Sequence, residues 1–179
     1  MSLLPVLQPG EGDDARNAFL AAVPPLNLFK TLANAPMLAE LTARLGGAIL
    51  FASELDPKLR ELAILRTAHL AGNAYEVGHH ERIGREVGLS DAQIAAARTG
   101  ERAGLGDLEG LTLDWVEDVL AHKRVTQVNA RRGVELLGAK QAIELNLTIG
   151  YYLMVAIYLS SFDVPFEGAD FQDGVKIDG

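Results

Sequence analysis

The chain has 179 residues, 49% of them hydrophobic, enough for one domain with a sizeable core. Its formal charge of −8 would repel nucleic-acid phosphates and anionic lipid headgroups, so neither nucleic acid nor membrane is expected as a partner. It contains no cysteine, which excludes disulfides, thiol catalysis and thiolate metal ligands.

The N-terminus, MSLLPVLQPGEGDD, has neither a basic stretch nor a long apolar run. No signal peptide is read there, and the cytoplasm is the expected compartment. Pro5, Pro9, Gly10, Gly12, Pro24 and Pro25 are breakers, so residues 1–25 are expected to be loosely structured. No linker, low-complexity tract or repeat divides the chain, and 1–179 reads as a single domain.

Helical signals then follow one another. APMLAELTARLGGAILFASEL (35–55) is apolar at helical spacing. DPKLRELAILRTAHLAG opens with Asp56 as cap and Pro57 at the first helical position, and closes on Gly72. NAYEVGHHERIGREVG ends on Gly88, and SDAQIAAARTG places Ser90 and Gln93 as a capping box. LTLDWVEDVLAHKR, TQVNARRGVELLG and AKQAIELNLTIGYYLMVAIYLSSF complete the set. Within the last, IELNLTI alternates with the two-residue period of a strand, but no second strand exists for it to pair with. Residues 142–159 are the most apolar, yet Glu144, Asn146 and Thr148 make them a poor membrane span. The expected fold is an all-α helical bundle around an antiparallel helix pair.

On a helix, Glu76, His80, Ile83 and Val87 share one stripe, and the two apolar members turn it inward. The neighbouring stripe of Tyr75, His79, Arg82 and Glu86 is expected to be solvated. Glu61 shares a face with Leu65, Ala68 and Gly72 on the preceding helix. Glu76, His80 and Glu61 should therefore meet where the two helices join at Gly72–Asn73. Spacing also admits a purely structural account. Asn73 is a good N-cap, Glu76 at the third helical position can return a bond to it, and His80 can be a core histidine.

Metal chemistry finds little support. Glu76-x-x-His79 matches the carboxylate–histidine unit of di-iron bundles, but those need two such units and two further glutamates. No metal and no cofactor are expected. His69 and His122 lie near charged residues and are expected at the surface. GLGDLEG resembles a loop and not a nucleotide fingerprint.

ELAILRTAHLAGNAYEVGHHERIGREVGLS (61–90) resembles the signature helix pair of the carboxymuconolactone decarboxylase and alkylhydroperoxidase D (AhpD-like) family. In the peroxidase branch a Glu is followed after twelve residues by Cys-x-x-Cys and then x-x-x-His. Glu61 falls on that Glu, Asn73 and Glu76 on the two cysteines, and His80 on the His. Tyr75 falls where that branch often has a second His. The decarboxylase branch has Glu-x-x-x-His, here Glu76 and His80. The C-terminal IELNLTIGYYLMVAIYLSSFDVPFE also resembles the thiol-free branch.

The resemblance implies an AhpD-like bundle that assembles as a homo-oligomer, a dimer, a trimer or a hexamer. It implies cofactor-free acid–base chemistry on a small lactone or keto acid, with His80, Glu76 and Glu61 as catalytic candidates. Tyr75, Asn73 and Tyr152 are substrate-binding candidates, with Tyr151 and Asn146 as further inward polar groups. Thiol peroxidase chemistry is not expected, because Asn and Glu supply neither a thiolate nor a resolving thiol. The competing reading is a non-catalytic oligomer that keeps the family pocket and binds a ligand. A pocket that touches His80 and a carboxylate would favour the enzyme.

Overall fold

The computed structural model describes residues 2–167, which form eight helices and no strand. They are α1 (Asp14–Ala22), α2 (Asn27–Leu32), α3 (Pro36–Phe51), α4 (Pro57–Leu70), α5 (Ala74–Glu86), α6 (Asp91–Thr99), α7 (Asp107–His122) and α8 (Gln127–Ser161). The all-α expectation holds.

α4 is the axis of the fold. Asp56 accepts from the backbone N–H groups of Lys58 and Leu59, and Pro57 stands at the first turn, as the sequence predicts. α5, α6, α7 and α8 all pack against this helix, and every residue from Leu59 to Ala68 is buried. A helix enclosed on all sides carries no polar face, so its charged side chains need partners inside. Arg66 reaches Glu117 at 2.7 Å and the carbonyls of Ala97 and Arg98. Arg60 Nε donates to Glu61 at 3.1 Å.

Gly72, at φ +66°, ends α4 in the left-handed region and returns the chain into α5, where Asn73 caps the first turn. The two helices form the expected antiparallel pair. Ser90 and Gln93 make the capping box that starts α6.

α8 spans both of the last two predicted helices. Gly138, the residue at which the sequence reading divides them, has φ +76° and ψ 166° and breaks the helix internally. The alternating IELNLTI segment is helical, with Leu145 and Ile149 in a core shared with Trp115 and Val116. α8 is long and apolar enough to cross a membrane by composition, but its most apolar window is 50% buried against the rest of the fold. It also leaves Ile143, Leu147, Met154 and Ile157 exposed at helical spacing.

Two segments depart from expectation. Residues 14–22, inside the stretch expected to be loose, are helical because Asp13 caps the turn and Phe19 and Leu20 bury themselves among α2 and α3 residues. After a turn at 162–163, residues 164–167 cross α5 as an irregular strap. Phe166 stacks edge-on against Tyr75 and His79, and a Cβ on Gly78 would stand 2.8 Å from its ring, so the strap needs glycine beneath it.

Candidate active site

α4 and α5 deliver the charged groups. Glu61 Oε2 lies 2.7 Å from His80 Nδ1, and Glu61 Oε1 accepts from Arg60, so the three form one buried chain. A carboxylate acceptor at Nδ1 makes that nitrogen the protonated one in the neutral ring and leaves Nε2 a lone pair. Arg60 was not singled out by spacing. The available signal is a cation directly before Glu61 in the half of the helix that is otherwise largely apolar. Its Nη2 is buried without a partner among the described residues.

Glu76 decides between the two readings of spacing. Asn73 Oδ1 accepts from the Glu76 backbone N–H at 2.9 Å, so the cap forms. The return bond does not. Glu76 is 3% exposed, and both carboxyl oxygens are buried without a hydrogen-bond partner among the described residues. Burial pushes its pKa up to about 9, so at neutral pH it is a carboxylic acid with a proton to give.

A cavity of about 930 Å3 opens beside this cluster, between α5, α8 and the layer of α1, α2 and α3. Glu76, His80, Tyr75, His79, Tyr151 and Tyr152 lie in its wall, and the remaining lining is almost entirely apolar. Glu61 stands behind His80 and does not line it. The Tyr152 ring meets His80 edge-on at 4.8 Å. Tyr151 donates to the Thr42 carbonyl at 3.0 Å, packed against Gly46, where a Cβ would meet its hydroxyl at 2.4 Å. Burial raises the pKa of both phenols, Tyr151 to about 12, so both stay protonated.

Several expectations need correction. Tyr75 and His79 are buried and not solvated, because the strap and α2 cover that stripe. Glu167 binds both, accepting from the Tyr75 hydroxyl at 2.8 Å and lying 2.9 Å from His79 Nε2, and it also accepts from the Asn27 backbone N–H. Burial alone would raise the Glu167 pKa, but these hydrogen bonds, led by that of His79, hold it below the usual value. No periodicity signals Glu167, which comes from an irregular segment. Asn73 does not line the cavity. Its side-chain amide donates to the Ala156 carbonyl and the Ser160 hydroxyl, tying α5 to α8. Asn146 is exposed and accepts from Trp115 on a different side of α8. His122 is exposed, whereas His69 is half-buried with its Nε2 shut off from water. Among the described residues no three His, Asp or Glu side chains converge as a metal would require.

Comparison with known proteins fits this arrangement. Residues 36–118, spanning α3 to most of α7, match the model of the Carboxymuconolactone decarboxylase family. No curated protein matches the sequence. Two crystal structures share the fold. One, a peroxidase-related protein from Silicibacter sp. TM1040, superposes with a TM-score of 0.75 at 14% identity, covering 92% of this chain and 91% of that one. The other is a protein of unknown function from Agrobacterium tumefaciens, described as an AhpD-type antioxidant defence protein. It superposes with a TM-score of 0.70 at 18% identity, covering 76% of this chain and 95% of that one.

Proposed function

The chain belongs to the carboxymuconolactone decarboxylase family, and on that premise we propose that it is a cofactor-free acid–base enzyme. Its reaction is a decarboxylation, or a related lyase or isomerase step, on a lactone or keto acid. The observation that carries this reading is the cavity that touches both His80 and the protonated carboxyl of Glu76.

The proton inventory suits the reaction. When a carboxylate leaves as CO2, the electron pair of the broken C–C bond passes into the neighbouring carbonyl as an enolate. Glu76 is the acid that meets the charge on the enolate oxygen. His80, held at Nδ1 by Glu61, takes a proton from water on its Nε2 lone pair and passes it to the carbon that lost CO2. In an isomerisation the same Nε2 removes the α-proton first and returns it elsewhere. Tyr152 supplies a neutral hydroxyl to orient the carbonyl. The peroxidase and antioxidant descriptions of the two similar structures do not extend to this chain, which has no cysteine.

The same reading makes the protein a cytoplasmic homo-oligomer, supported by the apolar stripe that α8 leaves exposed. The test is a turnover screen of lactones and keto acids followed by CO2 release and product analysis, with His80→Ala as control. Turnover abolished in the control supports the enzyme. Ligand binding without turnover by the wild type would leave the non-catalytic binding protein.

A further inference from the structure

The wall of the cavity is far more apolar than a small acid requires. Its buried polar end holds Glu76, His80 and Tyr152 with Tyr75, His79 and Tyr151, and apart from the exposed Glu40 and Arg44 the remainder is apolar, Ala18, Phe19, Leu50 and Val155 among others. Within that end no cation is free to meet an anionic head. The Arg60 guanidinium is turned to Glu61 and does not line the cavity, His80 is bonded to Glu61, and His79 to Glu167. Glu40 and Arg44, both exposed, stand one helical turn apart on α3 and carry opposite charges. The volume of about 930 Å3 lies at the upper end of the range of sites for drug-sized ligands.

We infer that the site takes a molecule with a single carbonyl-bearing head and a long apolar body, an alkyl or aryl ketone, lactone or oxo acid, and not a small polyanionic acid. The head is held where the buried carboxyl of Glu76 lacks a partner among the described residues and Tyr152 lines the wall beside His80. The body lies along α3 and α8. This rests on the acid–base reading for the head chemistry alone; the choice of body comes from the cavity wall. Gly47 supplies a handle. It lines the cavity, and nothing stands within 4 Å of where its Cβ would be, so a larger side chain there enters empty space.

The experiment is calorimetric titration of the full chain with 2-butanone, 2-octanone and 2-undecanone, and with pyruvate and oxaloacetate as small acids. Affinity is expected to rise about fourfold for each added methylene, the value of burying it. Gly47→Leu is expected to weaken 2-undecanone at least tenfold (about one to two buried methylenes of lost space) and leave 2-butanone unchanged. Affinity that is flat with chain length, small acids that bind more tightly than 2-octanone, or a Gly47→Leu variant that treats all ketones like the wild type would each overturn the inference. The two readings fail separately. Tail-dependent binding with no turnover of any ketone, lactone or oxo acid refutes the acid–base enzyme and keeps the ligand class. Turnover that depends on His80 but not on the tail does the reverse.

Discussion

His80 Nδ1 lies 2.7 Å from Glu61 Oε2, a bond between α4 and α5 at a depth where Glu61 has 0% exposure. The same carboxylate answers Arg60 on its other oxygen. Removing it therefore leaves a buried guanidinium alone as well as an imidazole without orientation. Glu61→Ala is expected to lose about 3–5 kcal/mol of stability in urea unfolding. The pair Arg60→Met with Glu61→Leu is expected to regain most of that and none of the turnover. A double variant as unstable as the single one would mean that the Arg60–Glu61 pairing is not what the single variant disturbs.

Glu76 makes the protein sensitive to alkali. In the fold its pKa is about 9 against an ordinary 4.5, so between these limits the folded state holds one proton that the unfolded state has released. This contribution is complete below the ordinary value and is lost as pH climbs through the raised one. The slope is about 1.4 kcal/mol per pH unit. Melting temperatures of the wild type should fall from pH 5 to pH 8 relative to Glu76→Gln, which carries no titrating group. Parallel curves for the two proteins would refute the buried acid.

Turnover by Glu76→Gln should fall by about 10²–10⁴, since an amide cannot deliver a proton. The folded state of this variant is checked by the same melting curves. Undiminished turnover would move the acid role to another group in the cavity.

Peroxide should not be consumed with dithiothreitol faster than in a no-enzyme control. The 179 residues include no thiol to be oxidised and none to resolve a sulfenic acid. A clear rate above the control would overturn this.

Assembly should depend on α8. Met154 is 48% exposed and Ile157 59%, whereas Leu153 is half-buried. Leu38, Leu41 and Leu45 extend the exposed apolar surface along α3. Because Ile157 is not core in the single chain, Ile157→Glu should dissociate the oligomer and leave the helices folded, by sedimentation and circular dichroism. A wild-type monomer at micromolar concentration would refute the interface.

Local chemistry was legible in the sequence and long-range cover was not. The cap at Asp56, the turn at Gly72, the box at Ser90–Gln93 and the break at Gly138 each depend on neighbours within a few residues. The approach of Glu61 to His80 also follows from two short stripes meeting at one turn. Tyr75 and His79 were misread because their burial comes from Phe166 and Glu167, some 90 residues away in an irregular strap. Glu76 could not be resolved either. Spacing places it equally well for a capping bond or for isolation, and only the packing of α8 and the cavity makes it solitary.

Asn73 bears on how such a chain could change over generations. It performs three tasks: it caps α5, and it holds the Ala156 carbonyl and the Ser160 hydroxyl of α8. A thiol is a poor substitute in all of them, being a weak donor and a weak acceptor. Installing a dithiol through Asn73→Cys and Glu76→Cys would therefore loosen the joint between two helices before any redox advantage could accrue. With the joint of α5 and α8 built around an amide, any path from this chain to sulfur chemistry runs through less stable intermediates.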